Sequence, residues 1–213
     1  MLLLHAGLIS GQQQDAVITG AVQVQKNIDR TFSASLFLQG ALQENFSEPG
    51  YWIADLGVRC NITDYLSVGA HFRHSQVYQL DNTFAFRNYV YGECIVQKRW
   101  SDLTIAWRGR YITKYYSWNP LAEDVYRENK HYARGRFLLR YDLSYHHDIF
   151  AAVEQVYRLD EHMQTERMRY SVGYGYTFNN FHKIQLNYTV STQENREAPD
   201  TDYISGVTYF YKF

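Results

Sequence analysis

The chain has 213 residues, 46% of them hydrophobic and 17% aromatic, with only 3 prolines and a net charge of −1. Aromatic richness with few prolines favours strands over helix or disorder, and near-neutrality carries no basic bias towards nucleic acid. No apolar run reaches the roughly 18 residues of a spanning helix, and no glycine-rich phosphate loop or metal-ligand spacing appears, so no cofactor is expected.

In chain order, residues 1–11 (MLLLHAGLISG) read as a short secretory leader, and 12–213 as one domain. From Ala16 the chain alternates polar and apolar side chains in eleven segments. They run Ala16–Asn27, Thr31–Gln43, Tyr51–Asn61, Tyr65–Val77, Phe86–Trp100 and Leu103–Lys114, then His131–Leu143, Ile149–Leu159, Glu166–Phe178, Phe181–Gln193 and Asp202–Phe213. Their length suits a tilted strand crossing a bilayer, where only every second side chain meets lipid. A mean hydropathy of −0.45 is therefore compatible with a membrane barrel.

Short turns fall near 28–30, 62–64, 101–102, 144–148 and 179–180, and longer polar links near 44–50, 78–85, 115–130, 160–165 and 194–201. The Asn179-Asn180 pair suits a two-residue hairpin, since both residues tolerate positive φ. The sorting predicts an all-β fold: a single antiparallel transmembrane β-barrel of the outer membrane, with short periplasmic turns and longer extracellular loops. Antiparallel closure needs an even number, so twelve strands are expected, with ten as the alternative. Cys60 and Cys94 fall two strands apart, beyond disulfide reach. The 115–130 link is the longest and the best candidate for a surface contact or lid.

Parity assigns the faces. The inward set holds four acids, Asp55, Glu93, Asp142 and Glu154. Against them stand twelve bases: Arg59, Arg73, Arg108, Arg110, Arg134, Arg136, Arg140, Arg158, Arg167, Arg169, Lys183 and Lys212. A mid-bilayer Arg or Lys on the lipid face costs roughly 2–4 kcal/mol, which is why the charged parity points in. One reading of this lumen is an Arg/acid lattice, with Arg108, Arg110, Arg136 and Arg140 bridged by Glu93, Glu154 and Asp142. The other is an anion-favouring, porin-like pore or a binding surface for an acidic solute.

An outer-membrane lipid hydrolase or a partner-binding scaffold remains the alternative to a non-enzymatic barrel. His71 is the one histidine with an inward polar setting, beside Ser67 and Arg73, but no nucleophile motif accompanies it. The closing strand carries Tyr209, Tyr211 and Phe213 on one face. A terminal Phe there resembles the signal read by the barrel assembly machinery, and the expected surroundings are outer-membrane lipids.

From about Asp15 to Phe213 the chain resembles a family of uncharacterised outer-membrane barrels of Gram-negative bacteria, the domain of unknown function 2490 type. The resemblance rests on the opening AVQVQKNIDRTFSASLFLQG hairpin, the HYARGRFLLRYDL strand, the ERMRYSVGYGYTFNNFHKIQLNYTVS hairpin and the terminal VTYFYKF. It implies a barrel in the outer membrane and brings no activity or catalytic residues with it.

Overall fold

Eleven strands form in the computed structural model, which describes residues 14–78, 83–116, 129–160, 164–195 and 199–213. They are β1 (Gln14–Asn27), β2 (Phe32–Gln43), β3 (Glu48–Asn61), β4 (Leu66–Tyr78), β5 (Phe84–Trp100) and β6 (Leu103–Tyr116). There follow β7 (Lys130–Asp142), β8 (His147–Arg158), β9 (Gln164–Thr177), β10 (His182–Gln193) and β11 (Thr201–Lys212). Each coincides with an alternating segment of the sequence to within a few residues. The predicted leader and the centre of the 115–130 link lie outside the described residues.

Three of the short connections are built by side chains that accept from the backbone ahead of them. Asp29 Oδ1 takes the N–H groups of Thr31 and Phe32, both at 2.6 Å. Thr63 Oγ1 does the same for Tyr65 and Leu66 at 3.2 and 3.0 Å, and Asn179 Oδ1 for Phe181 and His182 at 2.9 and 3.0 Å. The Asn179-Asn180 pair therefore works differently from expectation: neither residue has positive φ, and the turn spans 178–181. The 44–50 link also proves shorter, because β3 begins at Glu48. Glu44, Asn45 and Phe46 close that turn in the left-handed region, with φ of 50, 53 and 71°.

Ten antiparallel pairings join sequence neighbours, and the sheet closes by pairing β1 with β11 in parallel. This corrects both the expected count, which is eleven rather than twelve or ten, and the expected antiparallel closure. Closure asks only that both edge ladders be satisfied, and a parallel register does that. Cα partners run from Gln14 with Thr201 to Gln25 with Lys212. Beyond them Phe213 N donates to Gln25 O at 3.0 Å, and Asn27 N donates to Phe213 O at 2.9 Å. Odd-stranded barrels are known, so the geometry has precedent.

The outer wall is apolar. Leu36, Leu56, Phe72, Val90, Trp107, Phe137, Val172 and Leu186 all point away from the lumen and are exposed. Lys26 and Lys98, near the short-turn rim, lie over aromatic rings: Lys26 Nζ is 5.4 Å from the Phe213 centroid and Lys98 Nζ 5.0 Å from that of Trp100. Cys60 and Cys94 are free, each opposite Val68 on the strand between them. No helix among the described residues is long and apolar enough to cross a membrane, which says nothing of the strands.

Candidate functional site in the barrel lumen

Inward parity brings two charge clusters into the lumen, on adjoining arcs of the wall that share β6. The first is carried by β3 to β6 and organised around Asp55 and Glu93. Asp55 Oδ2 accepts from Arg73 Nε at 2.8 Å and from the Tyr91 hydroxyl at 2.6 Å. Its other oxygen meets His71 Nδ1 at 3.0 Å. Glu93 takes Arg59 at 2.8 Å on one oxygen and Arg110 at 2.8 Å on the other, while His71 Nε2 makes an ion contact with it at 3.3 Å. The His71 ring stacks flat on Tyr91 at 4.6 Å, and the Arg110 guanidinium lies over the other aromatic partner's face, 4.7 Å from the Tyr91 centroid. Room for that stack comes from Gly57, the register partner of His71, where a Cβ would sit 2.3 Å from the imidazole. The Glu93 side chain is fully buried and that of Asp55 is 5% exposed, so both carboxylates are paired out of water.

The second cluster belongs to β6 to β9 and has one carboxylate, Glu154. Arg108 meets its Oε2 at 3.0 Å; Arg134 and Arg169 meet its Oε1, the latter at 3.3 Å. Arg136 is the register partner of Glu154 on β7, yet it has no ion-pair or hydrogen-bonding partner among the described residues. Along the β6–β7 ladder, Arg108 stands opposite Arg136 and Arg110 opposite Arg134.

Two cavities flank these clusters, and no residue lines both. The larger, about 700 Å³, reaches towards the long-loop rim and includes nine Arg or Lys side chains against four Asp or Glu. The smaller, about 540 Å³, lies at the short-turn rim and balances Arg99, Arg140 and Lys183 against Asp102, Asp142 and Asp148. The positive charge of the lumen is thus concentrated on one side.

The other sequence-predicted residues are distributed around this frame. Arg167 binds Asp202 at 2.5 Å and Ser191 at 3.0 Å, and Arg158 reaches Asp160 at 3.6 Å. Asp142 does not join the lattice around Glu154; it pairs with Arg99 at 2.8 Å. The acid of Arg140 is Asp148, at 3.4 Å, which also takes Lys183 at 2.5 Å. The sequence places Asp148 in a turn, whereas β8 begins at His147 and counting back in twos from Glu154 points Asp148 inward. Tyr91 and Arg87 have luminal parity too and were missed. Lys212 follows the luminal parity at the end of β11. Tyr209, Tyr211 and Phe213 lie on the outer face, where Tyr209 bonds His182 at 2.5 Å and Tyr211 stacks on Phe213 at 5.2 Å. Among the described residues no histidine ring bonds a serine side chain, and no group of His, Cys, Asp and Glu is arranged to hold a metal.

Residues 20–202 match the sequence profile of a family described as "Protein of unknown function (DUF2490)". No curated protein matches the chain.

Proposed function

The chain belongs to this family of unknown function, and from its own geometry we propose that it is a non-enzymatic barrel of the Gram-negative outer membrane, admitting small anionic solutes to a basic lumen. The observation that carries the reading is the contrast between the two faces of one wall. Outside, the mid-strand positions are apolar and exposed; inside, nine basic side chains face four acids in the larger cavity. A water-filled sheet closure has no use for so many exposed Leu, Val, Phe and Trp, whereas hydrocarbon does.

In this reading the short turns face the periplasm and the long loops the outside. Outer-membrane lipids are the surrounding partner. Tyr209, Tyr211 and Phe213 form the strand handed to the assembly machinery. The larger cavity is then the outer vestibule, and the two salt-bridged clusters separate it from the inner one and restrict passage.

Two measurements test the proposal. The detergent-extracted protein should migrate faster unheated than boiled, as folded membrane barrels do; recovery as a monodisperse protein without detergent overturns the membrane assignment. In planar bilayers, small anion-biased conductance is expected, and a bilayer sealed at all voltages or a cation bias overturns anion passage.

A further inference from the structure

The Glu154 cluster holds more cation than one carboxylate satisfies. Arg108, Arg134, Arg136 and Arg169 surround it, four guanidinium groups to one acid, a surplus of three. The cross-strand register partners of Arg136 are Arg108 on β6 and Glu154 on β8. Like charges set directly opposite on one sheet face destabilise it, and β6 and β7 place two such pairs in succession. Donors are also left over: Arg134 Nε and Arg169 Nε are buried without a partner, and Arg136 bonds nothing described. Unused buried donors call for an acceptor.

We infer that the larger cavity binds a phosphate or phosphomonoester dianion on Arg108, Arg134, Arg136 and Arg169, with Glu154 a tethered counter-ion sharing their forks. The carboxylate already shows the geometry: its oxygens are met by guanidinium groups arriving from β6, β7 and β9. An oxyanion with oxygens in several directions uses the remaining forks, and Arg binds phosphate through parallel N–H donors. Charge favours a dianion, which lowers the surplus from three to one; chloride leaves two. A cavity of about 700 Å³ also leaves space for an organic group esterified to the phosphate. Arg136 is the specific recruit, because no described residue bonds it.

The inference rests on the luminal reading above but not on passage across a membrane. The test uses the full chain folded in detergent, its fold checked by heat-modifiable migration. Inorganic phosphate and, separately, glucose phosphate are titrated calorimetrically at constant ionic strength set with chloride. Saturable binding of at least one is expected, and the stronger of the two identifies free phosphate or an ester as the ligand. Arg136→Gln should weaken it about tenfold or more, and Glu154→Gln should tighten it. Should Glu154→Gln fail to fold, Arg169→Gln replaces it as the second variant, with weakening expected. No saturable binding by the folded wild type, or an affinity unchanged in Arg136→Gln, overturns the site. Phosphate binding beside a sealed bilayer removes passage and keeps the site; anion-biased conductance without binding removes the site and keeps passage.

Discussion

Glu93 and Glu154 are both luminal carboxylates surrounded by arginines, and they lead opposite lives. Glu93 shares its neighbourhood with a second acid, Asp55, and its fully buried carboxylate serves Arg59, Arg110 and His71. Glu154 stands alone among four guanidinium groups, those of Arg108, Arg134, Arg136 and Arg169, all lining the larger cavity. The difference lies in stoichiometry rather than residue type. Where acids and bases come close to matching, two carboxylates to three arginines and His71, the lumen is stapled across neighbouring strands; where one carboxylate meets four arginines, it keeps capacity for something brought from outside.

Breaking the matched side should have the largest effect. Glu93→Gln leaves Arg110 and His71 facing a neutral group out of water and takes the acid from Arg59, and should lower unfolding free energy by about 3–5 kcal/mol in urea titrations followed by tryptophan fluorescence. Gly57→Ala drives a methyl group into the His71 ring and should cost about 1–3 kcal/mol. Gly20→Ala, where a Cβ meets nothing within 4 Å, should be nearly silent in the same assay. On the unmatched side, Glu154→Gln should cost only about 1–2 kcal/mol, because the freed guanidinium groups reach cavity water, and part of that loss should return when phosphate replaces chloride. Equal losses for Glu93→Gln and Glu154→Gln would dissolve the comparison.

A smaller effect than at either carboxylate is expected outside both clusters, at Asp160 beyond the end of β8. Slight burial works against its ionised form, but the backbone N–H of His131, its own backbone N–H and Arg158 outweigh that and hold its carboxyl below the usual aspartate range. A depressed carboxylate stabilises the fold above its unfolded pKa and loses that contribution as pH falls through the folded value. Asp160→Asn should therefore lose a few tenths of a kcal/mol near neutral pH, as an exposed pair does, and the difference should vanish on acidification.

Much of this contrast was written in the alternation. A strand's side chains switch faces every residue, so once Arg108, Arg110, Arg134, Arg136 and Arg140 shared a parity, their common luminal address followed. Pairing did not follow, because it depends on register and barrel stagger, which bring Glu154 to Arg169 and send Asp142 to Arg99. Asp148 was lost to a turn that ends two residues earlier than its composition suggested. The strand count was legible as it stood; the error came from adding a closure rule that hydrogen bonding does not impose. Tyr91 had no charge to draw attention, yet it carries the stack and hydroxyl that fix His71 and Asp55.

The parallel seam also orders assembly in time. Every other pairing is a hairpin between consecutive strands, available as soon as both have formed, whereas Gln14 meets Thr201 only after nearly the whole chain is present. Until then the molecule is an open sheet with two bare edges, each offering an unpaired ladder that another open sheet could extend. Closing β1 on β11 is the step that ends that exposure, so a seam substitution that weakens the register should appear first as slower folding and more aggregation, with the finished barrel little changed.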